Sequence, residues 1–283
     1  MLIPHALLVP HLPTLMIDEH RGHRLGMVGA MRAASQRLLA EAPTAVVALS
    51  ARWGAPGAFL VDAGAKHRTI TDYANFGVEV RYDCPGHPKL AKALVDAGTH
   101  AGVRVSATTR GVDSGVAVPM YFLVPDRDLA VVPLSIVNQE PADCRRWGVA
   151  IRDALAAWPE RVAFIVSGLL TFNLHAWTMR REVPEALDFD QRTLEALKRG
   201  EWDHLADYDE PTLHRILPEA GLRHLEVLRG FLGADAKGEV LCYEASPGAG
   251  AALISFDVAM PARAPRPAPA PAPPGWPSEE SGD

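Results

Sequence analysis

The sequence predicts an α/β fold, a single domain in which a largely internal mixed β-sheet is covered by helices. Two observations lead there. Short apolar runs rich in β-branched residues recur along the chain, and amphipathic stretches with helical spacing lie between several of them. Runs that are apolar on both faces are expected of strands covered from both sides. The composition agrees, since 48% hydrophobic and 22% charged residues in a chain of 283 are enough for one sizeable core.

In order, the apolar runs are IPHALLVP from Ile3, TAVVALSA from Thr44, AFLVDAG from Ala58, VRVSATT from Val103, LAVVPLSIV from Leu129, VAFIVSG from Val162 and AALISFDV from Ala251. Helical spacing covers residues 29–40, 87–97, 144–157, 189–198 and 221–232. The stretch PGHPKLAKAL from Pro85 sets prolines at a helix start, where a missing N–H costs nothing. No repeat recurs at a fixed period. Composition changes once, after about Val258: residues 1–258 read as the domain, and the Pro/Ala-rich 259–283 as a disordered tail, too poor in apolar surface to offset its ordering entropy. A docking peptide for a proline-reading module is the functional alternative for that tail.

Charge and cysteine usage exclude several classes. The net charge of −6, with Lys and Arg scattered, forms no basic stripe for nucleic acid and none for an anionic membrane surface. Cys84, Cys144 and Cys242 lie far apart with no CxxC spacing, as expected of reduced thiols. The N-terminus lacks a basic n-region and a clear cleavage site. Its apolar residues 2–8 fall far short of the roughly 20 a membrane span needs, so a cytoplasmic protein is expected.

In open α/β sheets, ligands collect outside the carboxyl ends of the strands. That rule selects His11, residues 50–53, Asp113, Ser114 and residues 167–175, each just beyond an apolar run. None of the eleven histidines forms HxH, HxxxH or HExxH, so any metal centre must be assembled from distant segments. His11 reads equally as a turn residue or a ligand, and His224 as a half-buried histidine of an amphipathic helix. Nucleophile elbows of the GxSxG type, Walker loops and GxGxxG are absent from the sequence.

Several segments, in order, resemble one family, the class III (LigB-type) extradiol ring-cleaving dioxygenases. They are LLVPHLPTL, TAVVALSARWG, DYANFGVEVRYDCPGHPKLA, GVDSGVAVPMYFLVPDRDLAVVPLSI, SGLLTFNL, FDQRTLEALKRGEWDHL and GLRHLEVLRGFLGA, which together span nearly all of residues 1–258. The resemblance implies a LigB-like domain that opens catecholic rings with Fe(II) and oxygen. In the family two histidines and a third ligand, Glu or His, hold iron as a facial triad, and further histidines move protons.

Carried over residue by residue, His11 stands at the first ligand position and His224 at the third. The second, in SARW, is Arg52, whose guanidinium stays charged and offers no lone pair to a cation. The two proton-handling histidines are replaced by Ser114 and Phe172, and a neutral phenyl ring cannot serve as a base. His175 becomes a substitute for Phe172 if the segment is helical, because three residues on it shares a face. Arg52, Trp53, Asp113 and Asn173 are then expected to line the cleft.

The pattern of loss is similar to one branch, the α subunit of aminophenol ring-cleaving dioxygenase, which lacks the metal site and pairs with a catalytic homologue. GLRHLEVLRGFLGA and YEASPGAGAALISF carry that likeness. Three expectations follow. One is a non-catalytic subunit partnered by a catalytic LigB-like paralogue or by a second copy of itself. Another is a divergent Fe(II) oxygenase of catechol or aminophenol substrates, using His11, His224 and Asp113 or His175. The last is a cleft that binds a small anion or aromatic acid without turnover, with Arg52 as its charge partner in place of iron.

Overall fold

Every apolar run named above is a strand, or part of one, in the computed structural model, which describes residues 2–20, 22, 26–70, 81–203 and 208–259. The first forms β1 (Leu2–Val9), followed by α1 (Thr14–His20) and α2 (Gly26–Ala40). Next come β2 (Ala45–Ala55), β3 (Phe59–Asp62), the two-residue β4 (Lys66–His67) and β5 (Cys84–Pro85), α3 (Pro88–His100) and β6 (Val105–Thr108). The middle continues with α4 (Ser114–Leu123), β7 (Ala130–Val137), α5 (Pro141–Ala157), β8 (Val162–Ser167) and α6 (Leu174–Thr178). The last part holds α7 (Pro184–Arg199), α8 (Glu210–Ile216), the turn segment Glu219–Leu222, α9 (Arg223–Leu232), β9 (Gly238–Ser246) and β10 (Ala249–Asp257).

Eight strands make one mixed sheet in the order β6-β3-β7-β2-β8-β1-β10-β9. At its centre β7, β2, β8 and β1 run parallel, so their carboxyl ends open on one edge. The strands bury nearly every residue on both faces: β8 has no exposed position, and Val46, Val47, Ala48 and Leu49 of β2 are wholly buried. This is why the runs read as continuous rather than alternating.

One core cluster includes Leu49, Trp147, Phe164, Leu228 and Phe231. The other includes Ile3, Met31, Val46, Ile165 and Leu253. On the first face α5 and α9 cross in intimate contact. A Cβ at Gly148 would stand 2.0 Å from the Val227 carbonyl, and one at Gly230 2.0 Å from the Arg145 carbonyl. Only glycine permits that approach, and it fixes the helix that carries His224.

Several elements escaped the sequence reading, α4 and β9 being the longest of them. The helix α4 is buried almost all round and has Pro119 inside, so it shows no 3.6-residue stripe. The strand β9 is an edge that pairs only with β10 and has no buried position, so its apolar residues are too few to form a run. At α3 the expected proline start holds, with Pro88 in the first turn and His87 Nδ1 accepting from the Leu90 N–H at 3.2 Å.

Cys84, Cys144 and Cys242 are free thiols, and burial pushes the first two up to about 12. Among the described residues no helix is long and apolar enough to cross a membrane. The Pro/Ala-rich segment 260–283, residues 72–80 of the DYANFGVEVRYDCPGHPKLA segment and residues 204–205 of FDQRTLEALKRGEWDHL lie outside the described residues.

Candidate active-site cleft

The carboxyl ends of β1, β2 and β8 bring together residues remote in sequence. His11 follows β1 and is only 2% exposed. Its Nε2 lies 2.9 Å from both carboxylate oxygens of Glu219, which is itself 7% exposed. The N–H of Leu169, just beyond β8, donates to Glu219 Oε2 at 2.5 Å. Burial alone would raise the Glu219 carboxyl, but His11 first, then His224 and the Leu169 N–H, hold it below its ordinary value.

His224 lies in the first turn of α9 and is wholly buried. Neither ring nitrogen meets a hydrogen-bond partner among the described residues, although the carbonyls of Glu219 and Leu169 lie near it. Burial pushes its pKa down to about 4, against the pull of Glu219, so the ring is neutral at pH 7. Gly168 makes room for it, since a Cβ there would stand 2.4 Å from His224 Cδ2.

The backbone that presents Glu219 and His224 departs from ordinary conformations. Leu217, Ala220, Gly221 and Leu222 all have left-handed φ angles between 49° and 61°. Each non-glycine residue held there costs about 1–3 kcal/mol. The segment is secured by hydrogen bonds from Glu219 N to Leu170 O at 3.2 Å and from Phe172 N to Leu217 O at 2.9 Å.

On the neighbouring strand the pairing of β2 with β7 slips between Ser50 and Gly54, which face the consecutive residues Ser135 and Ile136. Residues 51–53 are thus bulged out of the ladder, a device that redirects side chains at strand ends. Arg52 is exposed there and Trp53 is buried. The Arg52 guanidinium carbon sits 5.7 Å from the Phe172 ring centroid, and among the described residues Arg52 has no ion-pair partner. Ser50 donates to Asp113 Oδ1 at 3.0 Å, while Arg110 donates to Asp113 Oδ2 at 2.9 Å and lies 5.0 Å from the Trp53 ring centroid. Asp113 is therefore engaged on both oxygens as it caps α4, whose first residue is the buried Ser114.

The segment after β8 corrects one expectation. Phe172 is not helical but bridges to Ala249, and Asn173 is the N-cap of α6, its Oδ1 accepting from the Ala176 N–H at 2.9 Å. The shared helix face that would let His175 replace residue 172 does not exist, and His175 is exposed. Two further residues went unnoticed in the sequence. Arg110 carried no local signal. Glu219 had one, a carboxylate in the turn-forming PEAGL just ahead of a helix. Among the described residues no three His, Cys, Asp or Glu side chains are grouped to hold a metal ion.

The family model described as "Catalytic LigB subunit of aromatic ring-opening dioxygenase" matches residues 5–254. The "Dioxygenase tasH" of Hapsidospora irregularis is 29% identical over 200 residues, covering 68% of this chain and 58% of that protein, so the chain spans little more than half of that relative's length. The "4,5-DOPA dioxygenase extradiol" of Beta vulgaris is 27% identical over 219 residues, 73% of this chain and 80% of that protein. The same backbone arrangement occurs in an uncharacterized protein, JW3007, from Escherichia coli K12. It has a TM-score of 0.65 at 19% identity and covers 91% of this chain and 100% of that one.

Proposed function

We propose, from the premise that this chain belongs to the LigB family of aromatic ring-opening dioxygenases, that it acts as a non-catalytic subunit completing a catalytic LigB-family partner. The observation that carries this reading is the contact between Arg52 and Phe172. Both stand where the family resemblance expects histidines, and they are fitted to each other rather than to a metal. A permanent cation at the second ligand position would repel ferrous ion. The donor set does not fit a three-ligand iron centre as it stands, since His11 Nε2 is engaged by Glu219 and, among the described residues, no three His, Cys, Asp or Glu side chains are grouped to hold a metal ion.

Co-expression with a catalytic LigB-family paralogue, followed by light scattering, is expected to yield a hetero-oligomer. Iron analysis after anaerobic reconstitution is expected to find the metal in the paralogue alone. A chain that purifies by itself with stoichiometric iron and opens a catecholic or aminophenolic ring overturns the proposal.

A second reading is supported by Glu219. With His11 and His224 it would supply two imidazoles and one carboxylate, the donor types of a facial triad, although the three are not grouped around a metal position as they stand. An iron-dependent enzyme of this kind requires His11 to exchange its Glu219 hydrogen bonds for metal. Iron binding by the wild type that is lost in Glu219→Ala would favour it. A third reading rests on the exposed Arg52, which has no ion-pair partner among the described residues and suits an aromatic carboxylate held without turnover. Calorimetry with benzoate on wild type and Arg52→Ala tests it, equal affinities removing Arg52 from the site.

A further inference from the structure

A separate cavity of about 270 Å³ opens between the start of α7 and the β9–β10 hairpin. Its walls include Val183, Pro184, Leu187, Ala245 and Pro247, and Leu187 is 43% exposed at its mouth. Asp190 lies among these lining residues, 2% exposed. Only one of its oxygens is satisfied within the protein. Tyr243 Oη donates to Oδ2 at 2.8 Å and Thr171 Oγ1 donates to the same atom at 3.1 Å, whereas Oδ1 has no partner among the described residues.

An unpaired buried acceptor of this kind is destabilising, so its persistence asks for a reason. Repacking does not supply one, because the carboxyl group is pressed against the hairpin backbone. A Cβ at Gly250 would stand 1.8 Å from Oδ2 and 2.9 Å from Oδ1. The ionisable lining residues are Glu182, Asp190 and Tyr243, and none of the lining residues is basic. A ligand that completes this arrangement must donate hydrogen bonds, carry positive charge and present hydrocarbon to the walls.

We propose that the cavity is a binding site for a small organic ammonium ion, which donates N–H to Asp190 Oδ1 and packs its apolar body against Val183, Leu187 and Pro247. The geometry selects for charge as well as shape. An amine gains a charge-assisted bond to a carboxylate shielded from water, and an alcohol of the same shape gains only a neutral one. The cavity is distinct from the His11 cleft, although Thr171 at its back is two residues along the chain from Leu169, which holds Glu219.

Calorimetric titration of the full chain with benzylamine, benzyl alcohol and toluene at about pH 8 tests the assignment. Benzylamine is expected to bind in the millimolar range or tighter, about tenfold or more ahead of benzyl alcohol, and Asp190→Asn is expected to abolish the preference. Tyr243→Phe keeps the carboxylate and should retain the amine preference. If Asp190→Asn does not fold, Leu187→Trp fills the mouth while leaving the carboxylate intact and is expected to weaken benzylamine binding. No saturable binding of benzylamine, equal affinity for the alcohol, or unchanged binding in both Asp190→Asn and Leu187→Trp would overturn the proposal.

Discussion

Arg52 and Phe172 meet across the mouth of the cleft, the guanidinium carbon 5.7 Å from the centroid of the ring. One comes from the bulge of β2 and the other from the extended segment before α6. A cation–π contact at such an exposed site is worth about 0.5–1 kcal/mol, enough to order two side chains but not to determine the fold. The two side chains therefore suit each other, and changing either alone leaves a mismatched partner.

Restoring the family histidines is predicted to act jointly. Arg52→His or Phe172→His alone should leave Fe(II) affinity nearly unchanged, whereas Arg52→His with Ser114→His and Phe172→His should raise it about tenfold or more. Competition with a chelating dye under anaerobic conditions measures this. No gain in the triple variant would confine the family likeness to the scaffold.

Removing the Glu219 carboxylate is predicted to destabilise the fold. Glu219→Ala strips His11 of its partner and leaves the buried Leu169 N–H without an acceptor. The expected loss is about 2–4 kcal/mol, read from urea unfolding at pH 7. A loss within error would mean that the strained segment before α9 holds its shape unaided.

Asp62 should contribute to the acid limb of stability. Burial would raise its carboxyl, but His67 and the N–H groups of Gly111, Gly64 and Arg110 together bring it down to about 2 from 3.8. Because the folded value is depressed, its contribution is complete above pH 3.8 and is lost as the pH falls through about 2. Asp62→Asn is predicted to cost about 2 kcal/mol at pH 7, the difference from wild type narrowing below about pH 4. Parallel unfolding curves with a constant gap across that range would contradict it.

Asp190 has the opposite sign. Its burial raises the carboxyl from 3.8 to about 7 despite hydrogen bonds from Tyr243 and Thr171. The folded state favours the protonated form, so the contribution is complete below pH 3.8 and is lost as the pH rises to about 7. Asp190→Asn should lack this slope and exceed the wild type in relative stability as the pH passes from about 4 to 8. Thermal unfolding across that range measures it, and identical pH profiles would place a second donor on Oδ1.

The sheet and its helices were readable because burial on both faces writes itself into sequence as continuous apolar runs, as in VAFIVS of β8. Amphipathic periodicity did the same for α3, α5, α7 and α9. His11, Arg52, Asp113 and Phe172 could be selected because they follow such runs. Glu219 and Arg110 could not, since their significance comes from tertiary approach. Glu219 meets His11 from 208 residues away in sequence. A short α6 beginning only after Asn173 likewise defeated the helical argument for His175. The pairing of Asp190 with Tyr243 depends on an edge strand whose mixed pattern gave no sign of its position.

The glycine crossing of α5 and α9 fixes one wall of the cleft. With Gly148 and Gly230 letting the two helices touch backbone to backbone, α9 can neither slide nor tilt, and His224 is as immobile as the sheet beneath it. Substitution at the mouth is therefore constrained least at the looped-out residues 51–53, which stand outside the strand ladder. Evolution could retune this mouth repeatedly without disturbing the foundation on which it stands.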